Sequence, residues 1–435
     1  MGYSQVKREQ GLDSNGGGGS AKLTRTGIVM FPEEKLRYEV AAMRYIEKHT
    51  TIRVPKIYHF GTGAENPTGL GPFVIMEYIH HESTLSAVLN DPNQAIGERH
   101  RLDPNVSEEK LHKLYSQMAN ILLQLSTLKF SRIGSLVEEE EDVFSVSSKP
   151  LTDNMNALVE HTDMPPGLLP SQSYATSKEW YSAMADMHLA QLTFQHNDAV
   201  MDEDDARDKY VARQLFRQLA SDGRLTSYMR RDEESEAQPS FLMYNPDFRP
   251  SNVLIDKDLN VVAFSYDPPW WLLLRRPEEY DGGFEPWMEA YAPVLDTFLR
   301  IMEEEEKKMQ AASEKGNLDK GLENLTLSDE GTADRIMKTP LSQRMRESWE
   351  RKTWIINYAA RGSWEFDWLY WRFIDHMFFG PNEDEDHHAR LDLLSRKQRE
   401  VMEPFVKMKM EEDENCISVE WEEEAAAAHL ARFLV

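Results

Sequence analysis

The stretch Tyr244-Asn245-Pro246-Asp247-Phe248-Arg249-Pro250-Ser251-Asn252 decides the fold of this chain, and an apolar run at residues 253–255 follows it directly. In a phosphoryl-transfer loop, an Asp and an Asn at the spacing of Asp247 and Asn252 have separate tasks. The Asp accepts the proton of a substrate hydroxyl, and the Asn side chain holds one of the magnesium ions that neutralise the phosphates. We therefore expect Asp247 to be the catalytic base and Asn252 to be a Mg²⁺ ligand, with ATP as the phosphoryl donor.

Segments far from the loop carry a family resemblance. They are Met30-Phe31-Pro32-Glu33-Glu34-Lys35, Gly69-Leu70-Gly71-Pro72-Phe73 with Met76-Glu77-Tyr78, Arg132-Ile133-Gly134-Ser135-Leu136, Gln195-His196-Asn197-Asp198-Ala199-Val200 and Pro268-Pro269-Trp270-Trp271-Leu272. Together with the loop they resemble the aminoglycoside phosphotransferase and choline kinase-like family, in a subgroup with no assigned substrate. The resemblance covers the chain from about Gly27 to its C-terminus.

The resemblance implies a two-lobed, protein-kinase-like α+β fold and an ATP-dependent phosphotransferase that acts on a small-molecule hydroxyl. It divides the chain into a flexible tail at residues 1–26, a truncated nucleotide-binding N-lobe at 27–80 and a mainly helical C-lobe at 81–435 that contains the loop. The acidic stretch 303–335 is short of aromatic residues, which predicts an exposed or disordered insertion.

The N-lobe supplies the expected nucleotide contacts. Lys22 falls where the family has its phosphate-pairing basic residue, and Glu39 falls on the following helix, where the acidic partner of that residue would lie. The alternative for Lys22 is a solvated lysine in a disordered tail. The resemblance makes residues 76–79 the hinge whose backbone contacts adenine, with Met76 and Tyr78 at the contact, and the alternative is an ordinary buried edge.

Three departures from the family pattern put activity in question. Asn245 stands where the family has a His that braces the loop, and an amide replaces only part of the hydrogen bonding of an imidazole. The family segment that delivers a metal-binding Asp is missing where Ala263 meets Phe264. Asp267 is the candidate second Mg²⁺ ligand, and its alternative role is a solvated polar residue before a Pro-Pro turn. The third departure is the missing glycine hairpin, because the glycines at 16–19 lack flanking alternating apolar residues and indicate a linker.

Composition narrows the classes of partner. The 435-residue chain has a formal net charge of −26, which disfavours nucleic acids and anionic membranes and suits a cationic small-molecule substrate. No apolar run approaches the roughly 20 residues of a membrane span. The only cysteine, Cys416, excludes an internal disulfide, and the N-terminus lacks the pattern of a signal peptide. We therefore predict a cytoplasmic protein with no nucleic-acid or membrane partner.

Periodicity predicts the larger elements. Apolar residues at helical spacing predict helices at 36–46 and 111–125, and a pair of long helices at 174–220 broken near Asn197. Short strands are expected at 54–60 and 73–76, and the charge run 138–141 is expected to be a solvated loop. His188, alone on a helix, is expected to be structural. Neighbouring side chains in the stretch 384–388 diverge, so its acidic and histidine residues are not expected to bind a metal.

Two alternatives to an active kinase stay open. In the first, the chain is a pseudokinase, a non-catalytic relative that keeps the fold for partner binding. In the second, the sequence lacks a segment because an exon boundary is misplaced. Loss of both the glycine hairpin and the metal-Asp segment in an otherwise regular sequence favours the misplaced boundary over gradual decay.

Overall fold

The computed structural model describes residues 19–23, 30–95, 97–196, 198–230, 241–243, 253–255, 268–314, 339–415 and 419–435. These residues form an α+β fold with three small antiparallel sheets and a large helical body. The predicted α+β class is therefore confirmed. Within the described parts of the chain, every helix is too short or too polar to span a lipid bilayer.

The N-terminal part is a three-stranded sheet covered by one helix. Strands β1 (Gly19–Leu23), β2 (Ile57–Gly61) and β3 (Phe73–Glu77) are arranged in the order β1-β3-β2. Helix α1 (Pro32–His49) has proline in its first turn, acidic residues near its N-terminus and basic residues in its last turn, all of which favour a helix there. Its buried Leu36 and Val40 pack on Val74 of β3, so the sheet and α1 share a small core.

Strand β1 lies within the range 1–26 that we predicted to be a flexible tail. For residues 19–23 that prediction is wrong, because this stretch pairs with all of β3 in a continuous antiparallel register, from Gly19 opposite Glu77 to Leu23 opposite Phe73. The sequence Gly-Ser-Ala-Lys-Leu lacks an alternating pattern. Its strand structure depends on hydrogen bonds to a partner far along the chain.

The remaining residues form the larger body. Short strands β4 (Ser83–Thr84) and β7 (Leu254–Ile255) pair with each other, and β5 (Ser135–Glu140) pairs with β6 (Val143–Ser148). The helices are α2 (Leu85–Leu89), α3 (Glu108–Ser126), α4 (Asp153–His161), α5 (Ser177–Phe194), α6 (Glu203–Ser221), α7 (Arg224–Met229), α8 (Phe284–Glu314), α9 (Leu341–Glu350), α10 (Thr353–Arg361), α11 (Phe366–Leu369), α12 (Asp375–Phe379), α13 (Arg396–Asn415) and α14 (Glu423–Ala431). Residues 370–374 connect α11 to α12 as a π-helical turn.

Helices α5 and α6 form the centre of the body. They correspond to the pair of long helices predicted at residues 174–220. Helix α5 begins with a capping box in which Thr176 and Glu179 bond to each other's backbone. The buried His188 stacks on Phe366 with ring centroids 4.3 Å apart, and its Nδ1 lies 2.9 Å from the hydroxyl of Ser363. Its role is structural, as expected.

Two predictions from charge runs are wrong in part. The run 138–141 was expected to be a solvated loop, but β5 extends to Glu140, and Glu138 is mostly buried against Arg44 of α1. The range 303–335 was expected to be an exposed or disordered insertion, but α8 continues to Glu314. In that helix the buried Glu306 carboxylate accepts hydrogen bonds from the backbone N–H and the hydroxyl of Ser342. In both cases a specific partner offsets the cost of burying the carboxylate.

Candidate functional site

The predicted catalytic residues Asp247, Asn252 and Asp267, with Asn245 and the join of Ala263 to Phe264, lie outside the described residues. Segments before, between and after them are described. The positions of these flanking segments show which elements surround the candidate site.

The segment before the catalytic loop is fixed to the end of α3. The backbone N–H of Phe130 donates to the carbonyl of Phe241 at 2.9 Å, and the N–H of Phe241 donates back to Phe130 at 2.8 Å. This reciprocal bridge holds the chain three residues before Tyr244. The chain just before the expected catalytic loop is therefore held at Phe241.

The segment after the loop is fixed to the start of α2. Val253, which follows Asn252, is buried, and its carbonyl accepts a hydrogen bond from the N–H of Leu85 at 2.9 Å. The next two residues form β7, which pairs with β4, and β4 lies a few residues beyond the expected hinge. Residues 253–255, which follow the expected catalytic loop, are thus next to the chain that leaves the expected hinge.

The expected hinge residues Met76 and Tyr78 lie at and just beyond the end of β3. Met76 packs on the core shared with α1, and the ring of Tyr78 contacts His80 with centroids 5.1 Å apart. Both side chains are half-buried, which fits either the hinge or the buried-edge interpretation.

Strand β3 brings the two expected phosphate-site residues onto adjoining elements. Lys22 occupies the β1 position opposite Val74 in the antiparallel pairing of β1 with β3. The Val74 side chain is on the face covered by α1, and Glu39 is a half-buried residue of α1 between Leu36 and Val40. Strand β1, which carries Lys22, and helix α1, which carries Glu39, therefore both contact β3.

The segment that follows Asp267 is anchored to α8. The carbonyl of Pro269 accepts a hydrogen bond from the hydroxyl of Tyr291 at 3.0 Å, and Trp271 is buried. The guanidinium of Arg276 lies over the ring of Trp270, 5.0 Å from its centroid. Asp267 is separated from Trp270 by only the two prolines, so Arg276 lies close along the chain to the candidate metal ligand.

Next to Arg276 is a cluster of two carboxylates and one phenol, which we define as the acidic cluster: Glu278, Tyr358 and Glu365. The Tyr358 hydroxyl donates to Glu278 at 2.5 Å, and burial with the nearby Glu278 charge raises the pKa of that phenol well above its usual range. The Glu365 carboxylate lies against Gly362. A Cβ added at Gly362 would be 2.9 Å from a carboxylate oxygen of Glu365. Burial, followed by the charge of Glu278, raises the pKa of Glu365.

Sequence reasoning missed the acidic cluster. Its members come from a short turn before α8, from α10 and from the residue before α11, and the spacing between them carries no pattern. The available signal was the run Gly362-Ser363-Trp364-Glu365, in which the small Ser363 and the charged Glu365 lie on either side of Trp364. That signal does not identify the partners.

Across the described ranges, no three side chains of His, Cys, Asp or Glu are grouped as a metal site. In the stretch 384–388, two histidines are paired with aspartates. His387 Nδ1 lies 2.6 Å from Asp208, and His388 Nδ1 lies 3.0 Å from Asp386.

Comparison with known proteins gives short matches to curated yeast proteins named altered inheritance of mitochondria protein 9, mitochondrial. The Kluyveromyces lactis protein is 32% identical over 102 residues, which is 23% of this chain and 15% of that protein. The Zygosaccharomyces rouxii protein is 29% identical over 104 residues (24% and 16%), and the Candida glabrata protein is 22% identical over 125 residues (28% and 19%). The matches thus span less than a fifth of the length of each relative. No protein-family model matches the chain, and no solved structure matches it.

These matches overturn the prediction of a cytoplasmic location, because all three relatives are named as mitochondrial proteins. The prediction depended on the lack of a secretory signal pattern at the N-terminus. That pattern does not report on import into other compartments.

Proposed function

We propose that this chain is a mitochondrial, ATP-dependent phosphotransferase of the aminoglycoside phosphotransferase and choline kinase-like type, acting on a hydroxyl of a small cationic molecule. The observation that carries the proposal is the position of β3. This strand is paired with the strand of Lys22, is covered by the helix of Glu39 and leads into the hinge. Beyond the hinge, β4 pairs with β7, which begins two residues after Asn252.

In this proposal each predicted residue has one task. Lys22 pairs with the nucleotide phosphates, Glu39 positions Lys22, and the backbone at Met76 and Tyr78 contacts adenine. Asp247 accepts the substrate hydroxyl proton. Asn252 and Asp267 would hold magnesium, which when bound neutralises phosphate charge.

The acidic cluster supports a cationic substrate. Two carboxylates beside a phenol make a cation more favourable there, and burial raises the pKa of Glu365. The nearby Arg276 offsets part of this charge, since it lies 3.8 Å from Glu278. The charge of Arg276 also acts on Glu365, where it offsets part of the rise in pKa. We propose that the cationic group of the substrate contacts Glu365.

The alternative is a pseudokinase, and a specific sequence feature favours it. The chain runs from Val262 through Ala263 into Phe264 without the Asp that the family delivers to the metal. A phosphate site with a single Mg²⁺ ligand leaves much of the triphosphate charge uncompensated. We therefore expect binding of ATP-magnesium to be weaker than micromolar.

Calorimetric titration of ATP-magnesium tests the nucleotide site that the proposal places at Lys22. For the proposed site, Lys22→Ala weakens binding by about tenfold or more, since contacts between charged groups contribute roughly 1.5–3 kcal/mol. The control Lys407→Ala removes an exposed lysine of α13 and leaves binding unchanged. If Lys22→Ala and Lys407→Ala bind ATP-magnesium equally well, the nucleotide site is not where we place it. Fractionation of cells that express the full chain tests the mitochondrial location separately.

A further inference from the structure

The hairpin β5–β6 is the part of the larger lobe that carries the Arg132–Leu136 sequence landmark, for which the proposed function has no role. Its base is held firmly. Arg132 Nε donates to the Ser173 hydroxyl at 2.7 Å, and Ile133 exchanges backbone hydrogen bonds with Tyr174 at 2.7 and 2.8 Å. A Cβ on Gly134 would lie 2.5 Å from the carbonyl oxygen of Ser148, so only glycine fits at this crossing. The hairpin therefore projects from a fixed base in front of α5.

The free length of the hairpin lies along α1. Glu138 accepts a hydrogen bond from Arg44 at 2.6 Å, and its side chain is only 14% exposed. Asp142 pairs with Lys48 at 3.0 Å, so the tip of the hairpin contacts the last turns of α1.

Contacts continue to the other end of the helix. Phe144 packs edge-on against Tyr45 with ring centroids 5.3 Å apart, Ser148 hydrogen-bonds to Tyr38, and Lys149 pairs with Glu34 at 3.1 Å. Most of the α1 residues in these contacts are three, four or seven positions apart, which places them on one side of the helix: Glu34, Tyr38, Tyr45 and Lys48.

The sheet is on the opposite side of the helix. At about 100° per residue, Leu36 lies about 200° around α1 from Glu34. Leu36 and Val40 pack on Val74, so α1 is held between the sheet and the hairpin. Arg44 lies at the boundary, because its guanidinium also lies over the Phe60 ring of β2, 5.4 Å from the centroid.

We propose that the β5–β6 hairpin is a clamp that sets the position of α1, and that Arg44 and Glu138 are positioning residues for the nucleotide site. This inference rests on the proposed function, because α1 matters to the site only as the helix that carries Glu39. The hairpin fixes α1 to the larger lobe, and that lobe also holds the catalytic loop. The clamp therefore relates Glu39 to the larger helical body independently of the three-stranded sheet.

The experiment compares Glu138→Gln with a matched control, Glu140→Gln, which removes an exposed carboxylate from the same strand. Hydrogen exchange of α1 and ATP-magnesium affinity are measured for four proteins: the full parent chain, Glu138→Gln, Glu140→Gln and Lys22→Ala. We expect Glu138→Gln to speed exchange across residues 34–48 about tenfold and to weaken ATP-magnesium binding about threefold to tenfold, with unchanged exchange in α5 and α6. The control should match the parent chain in both measurements.

Two results would overturn the clamp. One is equal α1 exchange in Glu138→Gln and Glu140→Gln. The other is faster α1 exchange in Glu138→Gln with unchanged ATP-magnesium affinity, while Lys22→Ala still weakens binding. Failure of the proposed function looks different, because the parent chain and Lys22→Ala would then bind ATP-magnesium equally. In that case the positioning role is overturned together with the site.

Discussion

Replacing Asp367 with Asn is expected to destabilise the protein strongly, because it leaves a buried arginine without its counter-charge. Arg213 is only 1% exposed and forms an ion pair with Asp367 at the start of α11. Its other donors bond to the carbonyl of His188 at 2.8 Å and to Gln191 Oε1 at 2.7 Å. This network joins α5, α6 and α11, and Glu365 of the acidic cluster lies two residues from Asp367.

The magnitude follows from what is left behind. Breaking one partner of a buried ion pair typically costs about 3–5 kcal/mol. Since Arg213 keeps its bonds to His188 and Gln191, and Asn retains one acceptor oxygen, we expect about 3 kcal/mol, the lower end of that range. The double variant Arg213→Met, Asp367→Leu should lose less than the single variant, because no buried charge remains.

Urea unfolding followed by the fluorescence of the ten tryptophans measures this cost. Glu400→Gln is the matched control, since its pair with Arg396 is exposed, with side-chain exposures of 57% and 89%, and should contribute less than about 0.5 kcal/mol. If Asp367→Asn shifts the unfolding midpoint no more than this control, the ion pair does not hold α11 in place and the reasoning fails.

Three other predictions concern the clamp, the acidic cluster and the missing segment. Gly134→Ala should cost about 1–3 kcal/mol in urea unfolding, because the new methyl would overlap the Ser148 carbonyl; an unchanged midpoint would show that the hairpin crossing is loose. Burial raises the pKa of Glu365, so its charged form lowers stability as pH rises through that raised pKa. Glu365→Gln should therefore unfold at a higher urea concentration than the parent chain at pH 7. The difference should vanish below the pKa of an unfolded glutamate, about 4.3. A difference that does not depend on pH would contradict this prediction. Inserting a family-like segment with an Asp between Ala263 and Phe264 should strengthen magnesium-dependent nucleotide binding, and the same insert with Ala in place of that Asp is the control.

The sequence predicted the helices and strands in which buried apolar residues recur at regular spacing. Helices α3, α5 and α6 have apolar residues at helical spacing, and the core buries those faces. Strand β3 was predicted because its apolar residues follow a turn rich in glycine. Local pattern was sufficient for these elements, since each carries its own buried face.

Elements that depend on a distant partner were not predicted. β1 is a strand because β3 accepts it, and β5 tolerates Glu138 because Arg44 lies beside it. Glu306 is buried because Ser342 donates to it from the following helix. The same distinction between local and distant partners applies to the candidate site. A loop motif indicates the chemistry of Asp247, whereas Glu365 and Glu278 meet only in the folded chain.

The most direct test of the central claim is transfer of the γ-phosphate of ATP to a small cationic alcohol, compared between the parent chain and Asp247→Asn. A set of amino alcohols serves as acceptors, and phosphorylated product is measured by mass spectrometry with magnesium present. We predict product with at least one acceptor, and a loss of about 10²- to 10⁴-fold in Asp247→Asn, the contribution of a positioned general base, with little change in thermal midpoint. Equal product formation by the two proteins, at a rate no higher than without protein, would contradict the account and favour the pseudokinase.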